Sequence, residues 1–391
     1  MSAGPEFAFT HGTHRIVPPQ ETLARIQPLL ARCGVTRCAS VTHLDDLGVP
    51  VYCAIRPAGL VLQVSNGKGM TRESAQASAL MEAIELFHAE HPAPDCLRHT
   101  SQSELELGGA RVITPAEISG WAGGYFSPGF RCEWICGESL HEGLPLWAPA
   151  SVAYFARTPT ALITDTNGLA SGNHLLEASL HALYELLERD AISGLSVDGQ
   201  LKIRARARTV IGDSIVDPEL HALVAQIEGR GTRVVLLWVP SRVAVHTFWA
   251  VFLNRRASAS VSAFNLGAGC HRNPVVAASR AVTEAAQARL TLIHGAREDR
   301  TSKPVDQAED VHKSVAYRFF DSLVATTSWD KLPSYAGPAP HADLQTTHDW
   351  LVGELRAAGQ ALVRFDLSRA EIGIPVIKIL APGLDFAQKL F

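Results

Sequence analysis

At 391 residues the chain is two to three times the usual ~100–200-residue domain, so one large domain or two or three subdomains are open. Hydrophobic residues make up 47% and charged residues 19%, enough for a real core, which excludes a disordered or fibrous chain. A net charge of −4 excludes a broad nucleic-acid or acidic-membrane surface. The densest apolar run, 234–239, is too short to cross a bilayer, and the first seven residues lack the basic-then-apolar order of a signal peptide. A cytoplasmic protein is expected, without nucleic-acid or membrane partners. Seven scattered cysteines give no disulfide framework. Cys132 and Cys136 lack the second pair that structural zinc wants, so buried thiols are the reading there.

In chain order, Pro18-Pro19 opens an amphipathic helix over 21–33. Strands follow at 35–42, 49–55 and 60–64, the last two joined by Arg56-Pro57-Ala58-Gly59. A long helix over 72–90 is stopped by His91-Pro92. The polar, Gly-rich stretch 95–127 reads as loop with short pieces of order, and strands resume at 131–137 and 144–148. A second long helix covers 177–195. Beyond it come a helix at 218–228, strands at 233–239, 246–253 and 260–264, and an Ala-rich helix over 275–294. A helix at 346–358 and strands at 361–366 and 375–380 complete the chain. Without regular βαβ alternation, this is α+β rather than a doubly wound sheet. No short-period repeat appears.

One echo stands out. Asn66-Gly67-Lys68-Gly69 precedes a helix holding Glu82 and Glu85, and Asn167-Gly168, with Gly172 behind, precedes a helix holding Glu185 and Glu188. At about 3.6 residues per turn, Glu177 lies about 20° from Glu188 and about 80° from Glu185 around the axis, so three carboxylates share one side. Their neighbours include Leu180, Leu183 and Leu187, which makes the helix otherwise apolar. Grouped carboxylates on a buried helix need positive charge, and Arg189 offsets one at most. Mg²⁺ with phosphate oxygens is the natural complement, and the Gly-rich loops could offer N–H groups to those phosphates. Spacing alone leaves open the commoner use of Glu-x-x-Glu, as solvated side chains. A di-iron centre is disfavoured: Glu85 and His88 form one Glu-x-x-His step, but Ala191 stands where the second helix needs its His.

The wording of three stretches is more specific. Residues 65–85, with Asn66-Gly67-Lys68-Gly69 and Glu82-Ala-Ile-Glu85, resemble the first signature of the YcaO family. Residues 167–190, from Asn167-Gly-Leu-Ala-Ser-Gly to Glu185-Leu-Leu-Glu-Arg-Asp190, resemble the second. Ser279-Arg-Ala-Val-Thr-Glu-Ala-Ala-Gln-Ala-Arg289 is similar to the third. The order is the family's, and the resemblance spans about residue 60 to the end. It implies a single domain over 1–391 with 1–60 as N-terminal subdomain, and an ATP-binding fold without the Walker loop, which this chain indeed lacks.

Chemically the resemblance implies ATP-dependent phosphorylation of a peptide backbone amide. A Cys, Ser or Thr side chain as nucleophile gives an azoline; external sulfide gives a thioamide. By position, Glu82, Glu85, Glu177, Glu185 and Glu188 would hold Mg²⁺. Asn173, Arg189 and Arg280 would contact ATP, with Ser78 one turn before Glu82 and Lys68 at the phosphates. Gly12-Thr-His-Arg15 and Thr22 resemble the family's early basic residue and hydroxyl partner. Gln287 and Arg289 carry weaker matches, with a surface salt bridge as the plain alternative for Arg289. No Ser–His–Asp triad is evident among the sixteen His.

Two departures matter. Leu86 replaces the usual Arg after the first signature, which removes a peripheral salt bridge. The end, Ala381-Pro-Gly-Leu-Asp-Phe-Ala-Gln-Lys-Leu-Phe391, has one proline where azoline-forming members carry Pro-x-Pro-x-Pro. Together with Gly12-Thr-His-Arg15 and Arg37-Cys-Ala-Ser-Val-Thr-His-Leu-Asp45, this resembles the stand-alone or TfuA-associated branch. The expected activity is thioamide formation with a TfuA-like partner on a peptide or protein substrate. Azoline formation is the runner-up, and a nucleotide-binding accessory subunit is the reading from another class. A homodimer is a further expectation.

Overall fold

The computed structural model describes residues 5–7, 11–114, 117–118, 126–155, 165–196, 199–254, 263–295, 314–339 and 342–386. The architecture is α+β, with antiparallel sheets and long helices. In the first half lie α1 (Pro19–Ile26), β1 (Arg37–Ser40), β2 (Val51–Ile55), β3 (Val64–Lys68), α2 (Arg72–Glu90), β4 (Leu97–Ser101), α3 (Gln102–Leu107), β5 (Arg131–Ser139), β6 (Pro145–Pro149) and β7 (Leu169–Ser171). Then follow α4 (Leu175–Ser196), α5 (Gly199–Arg206), β8 (Arg208–Thr209), α6 (Pro218–Gly229), β9 (Thr232–Val239), β10 (His246–Asn254) and β11 (Phe264–His271). The last elements are α7 (Pro274–His294), α8 (Val315–Asp321), α9 (Leu344–Ala357), β12 (Val363–Asp366) and β13 (Val376–Leu380).

Three sheets form, in the orders β1-β2-β3, β11-β10-β9-β8 and β4-β5-β12-β13-β7, with β6 also on β5. The first joins residues on both sides of position 60, since Cys53 faces Asn66 across β2 and β3. Strand β10 shows why the middle of the chain is so apolar. Its Phe248, Ala250 and Phe252 pack with α7, while Trp249, Val251 and Leu253 face the α8 side, so the period-2 alternation points apolar groups both ways. Helix α2 lies on β2 and β3, α7 on β10 and β11, and α4 touches β7 and β13 on one side and β11 on the other.

Both α2 and α7 start on side-chain caps. The Thr71 hydroxyl accepts the Ser74 N–H at 3.1 Å, and the Asn273 amide oxygen accepts the Val275 N–H at 2.8 Å ahead of Pro274. Helix α2 runs over the expected residues. Strand β3 does not: it starts at Val64 and carries Asn66-Gly67-Lys68 inside it, so the expected Gly-rich loop is a strand end. The reason is packing. A Cβ at Gly67 would sit 2.0 Å from the Ala79 nitrogen of α2, and one at Gly267 2.1 Å from the Ala285 nitrogen of α7. These glycines let strand and helix backbones touch; they do not open a phosphate cradle.

Other differences are local. Strand β11 starts at Phe264 where 260–264 was expected, and 260–262 lie outside the described residues. In the stretch from 95, expected as loop with short pieces of order, the ordered pieces are β4 and the capped helix α3. The single-proline tail lies outside the described residues from 387 onward. No helix among the described residues is long and apolar enough to cross a membrane.

Candidate functional site

Three strand-then-helix units, β3–α2, β7–α4 and β11–α7, each turn one helix face toward a cleft of about 700 Å³. All the residues that the resemblance assigns to metal or nucleotide line it, except Arg289. Helix α2 supplies Ser78, Glu82 and Glu85, and α4 supplies Glu177, Glu185, Glu188 and Arg189. Arg280 comes from α7, Lys68 from the end of β3, and Asn173 from the turn before α4. Arg15 and Thr22 reach in from the N-terminal segment. Amphipathic spacing explains the helical contributions: Leu183, Leu186 and Leu187 point α4 into the core, which leaves its carboxylates for the cleft.

One further carboxylate belongs to the cluster. Glu284 of α7 lines the cleft and forms an ion pair with Lys68. It lacks a second glutamate at the Glu-x-x-Glu spacing, because Gln287 stands there, and so the motif search passed over it. The signal was present in the third strand–helix unit, where Gly267 plays the part of Gly67 and Glu284-x-x-Gln287 that of Glu82-x-x-Glu85. Gln287 turns its amide to the Asn66 carbonyl at 2.8 Å and so ties α7 to β3.

The electrostatics are those of a site short of positive charge. Burial pushes the Glu85 carboxyl up to about 8, against hydrogen bonds from the Ser171 hydroxyl at 2.7 Å and N–H at 2.9 Å; Glu82 and Glu185 add like-charge repulsion. Burial likewise raises Glu188 to about 7, with Glu284 adding to it, and raises Glu185. For Glu284 burial works upward too, but the Lys68 ammonium and the Arg189 and Arg280 guanidiniums outweigh it and hold that carboxyl below its ordinary range. Arg189 is stabilised as a cation by Glu188, Glu284 and Glu185, despite burial of part of its stem.

Among the described residues no three His, Cys, Asp or Glu side chains already form a closed metal cage. The carboxylates line the walls, turned to protein donors: Glu85 to Ser171, Glu188 toward Arg189 at 4.0 Å, Glu284 to Lys68. A donor set of hard oxygens, several of them holding protons above the usual carboxylate range, fits divalent cations such as Mg²⁺.

Glu177 differs from the others. Its Oε2 accepts the Ile16 N–H at 2.9 Å, and its Oε1 accepts the Asn173 N–H at 3.0 Å and side-chain amide at 3.1 Å, with Arg15 at 3.5 Å. With both oxygens committed, it pins the N-terminal segment to α4, the role that geometry favours over metal ligation. Thr22 adds to this clasp by donating to Asn173 Oδ1 at 3.2 Å. Arg289 does form a salt bridge, to Asp45 at 2.8 Å, but a buried one rather than the expected surface pair, and it does not line the cleft. Leu86 is 2% exposed in the core behind Glu82 and Glu85, a place where a lone guanidinium would be costly. The di-iron reading gains nothing, because His88 is fully buried and its Nδ1 lies 2.7 Å from the Ile84 carbonyl.

Comparisons with known proteins identify the family. A family model described as YcaO cyclodehydratase, ATP- and Mg²⁺-binding, matches residues 66–385. An uncharacterized protein of Mycobacterium tuberculosis is 35% identical, over 96% of this chain and 84% of that protein. A protein named for the tfuA 3′ region of Rhizobium leguminosarum bv. trifolii is 31% identical, over 95% of this chain and 88% of its own. The YcaO structure from Methanopyrus kandleri, bound with AMPPCP and Mg²⁺, superposes with a TM-score of 0.77 at 25% identity, covering 97% of this chain and 95% of that one.

Proposed function

The chain belongs to the YcaO family of ATP-dependent peptide-modifying enzymes, with ATP and Mg²⁺ as cofactors, and from that premise we propose that its cleft activates a peptide backbone amide for thioamide formation. The observation that carries the reading is the meeting of Glu82, Glu85, Glu185, Glu188 and Glu284 with Lys68, Arg189 and Arg280 in one cleft. Bound MgATP supplies the phosphoryl group that makes the amide oxygen a leaving group.

The protein's part is positioning and charge. The five carboxylates would hold Mg²⁺, and Lys68, Arg189 and Arg280 would neutralise phosphate oxygens, so that charge developing on transfer meets fixed cations rather than water. Asn173 and Thr22, joined to each other, and Arg15 would border the nucleotide at the N-terminal side, with Ser78 facing them across the cleft. Val17, Leu62, Met81 and Leu169 give the cleft apolar surface suited to a base. Glu177 would keep this N-terminal wall in place.

In thioamide formation, hydrosulfide adds to the amide carbon, the amide oxygen takes the γ-phosphoryl group, and phosphate departs with that oxygen as C=S forms. The products are thioamide, ADP and phosphate. The relative from the tfuA 3′ region supports a TfuA-type partner for this step. The test is mass spectrometry of a peptide incubated with enzyme, partner, MgATP and sulfide. Exchange of oxygen for sulfur adds ~16 Da per amide, simple mass arithmetic on a group-transfer reaction. Loss of water with no sulfur gained would replace this reading with azoline formation. Peptide-independent, amide-free ATP binding alone would leave an accessory subunit.

A further inference from the structure

A second chamber, of about 390 Å³, shares Thr13, Arg15, Glu177, His181 and Arg280 with the nucleotide cleft. Its roof is the N-terminal segment pinned by Glu177. Phe7 lies against His14 with ring centroids 5.1 Å apart, and His14 meets His271 edge-on at 4.8 Å. Its floor is the junction of β11 and α7, which contributes His271 and Arg272, and Trp329 and Tyr335 form the far wall.

The chamber's chemistry is the reverse of the cleft's. Arg15, Arg272 and Arg280 line it, and among its described lining residues Glu177 is the one carboxylate. That carboxylate already receives three hydrogen bonds. Nothing here could ligate a hard cation or balance a basic ligand. What the walls offer instead are donors and flat apolar faces.

His271 is the clearest donor. Its Nδ1 sits 2.9 Å from the Asn273 N–H, which can only donate, so Nδ1 accepts and the proton resides on Nε2. Burial, followed by His14 and the three arginines, keeps the ring neutral. Arg272 is held by the Ala339 carbonyl at 3.2 Å and stacks over Trp350 with its charge centre 5.3 Å from the ring. A fixed, neutral N–H beside fixed guanidiniums is suited to carbonyl and carboxylate oxygens.

We propose that this chamber is the subsite for the substrate peptide, selecting segments with acidic or neutral side chains beside the modified amide and rejecting basic ones, with His271 Nε2–H and Arg272 donating to peptide oxygens. The inference rests on the reading of the neighbouring cleft as the MgATP site. Lysine or arginine entering the chamber would meet guanidiniums at low dielectric with no free carboxylate, which disfavours it. A peptide oxygen entering the chamber meets the His271 Nε2–H and the arginines that line it.

The test uses the full-length protein loaded with Mg-AMPPCP and two capped, fluorescein-labelled peptides, Gly-Asp-Gly-Asp-Gly and Gly-Lys-Gly-Lys-Gly, followed by anisotropy. The aspartate peptide should bind at least about tenfold tighter, the effect of one well-placed charge interaction. Arg272→Gln should reduce that preference to within about threefold, while His271→Leu weakens the aspartate peptide about tenfold and His271→Gln recovers part of the loss. Mg-AMPPCP affinity, read by calorimetry, should stay within about twofold in all three variants, since neither side chain lines the nucleotide cleft. Equal binding of the two peptides, binding of neither, a preference undiminished in Arg272→Gln and His271→Leu, or nucleotide affinity falling in step with peptide affinity would each overturn the proposal. Failure of the wild-type protein to bind Mg-AMPPCP would instead bring down the nucleotide reading, and this one with it.

Discussion

The two cavities meet across Thr13, Arg15, Glu177, His181 and Arg280, yet burial has opposite consequences in them. In the cleft, loss of water pushes Glu85 and Glu188 up toward neutrality. In the chamber, the same loss of water pushes His181 and His271 down, also toward neutrality. A neutralised carboxyl wall becomes charged when a cation arrives; a neutral imidazole stays a hydrogen-bond donor. One desolvated interior thus provides a metal-seeking surface and an amide-seeking surface side by side. Glu177 sits at the border, and its bonds tie the N-terminal segment at Ile16 and Arg15 to the Asn173 turn.

The largest effect that would break this division is expected in the cleft. Glu185→Gln, Glu188→Gln and Glu284→Gln should each weaken MgATP binding by roughly a hundredfold or more, since even outer-shell changes cost metal sites 10–100-fold. The fold should persist, because the apolar faces of α4 and α7 are untouched. Calorimetric titration decides it; ordinary MgATP affinity in all three variants would remove the metal assignment. The Glu284 variant is the sharper of these, because structure rather than motif spacing put that residue in the set.

A second effect should separate Glu177 from that group. Glu177→Gln loses charge-assisted bonds to Ile16, Asn173 and Arg15, each of a kind worth about 1.5–3 kcal/mol. The expectation is faster amide exchange over 11–16 and lower thermal stability, with Mg²⁺ affinity changed less than about threefold. Mg²⁺ loss as large as in Glu188→Gln would return Glu177 to the metal set. Thr22→Val should act in the same direction but more weakly, about 1 kcal/mol for one partly buried hydrogen bond to Asn173, seen in the same exchange measurement.

How far the sequence reached follows the same physics. Helix α2 was readable to its ends because Thr71 caps it and His91-Pro92 stops it, both local signals. The carboxylates of α2 and α4 were readable because three-residue spacing fixes a shared face without knowledge of the fold. Strand β3 was displaced because Gly67 reads as a loop residue, and only the approach of α2 explains a glycine in a strand there. Glu284 was legible only through the echo of Glu82 in the third strand–helix unit, without a second glutamate to mark it. The chamber was out of reach for a different reason: it joins Phe7 and 13–15 to 271–273, Trp329 and 332–335, contacts that no local pattern encodes.

The last effect is in pH, and it tests both cavities together. In the metal-free protein, Glu85 and Glu188 hold their protons to about 8 and 7, while in the unfolded chain they release them near 4.5. Their folded pKa values are raised, so the stability they contribute is full below about 4.5 and is lost as pH rises toward 8. The imidazoles run the other way. Burial lowers His246 to about 4 and His181 and His271 well below their usual value, so the unfolded state takes up protons near 6.5 that the folded state refuses. Stability is therefore lost as pH falls below 6.5, by up to about 1.4 kcal/mol per pH unit for each group. Thermal melting in chelator should show a maximum between these flanks, near pH 5–7. Added MgATP should lift the alkaline flank, because it supplies the positive charge the cleft carboxylates lack, and leave the acid flank in place. An acid flank erased by MgATP would mean that the imidazole chamber, and not the carboxylate wall, receives the nucleotide.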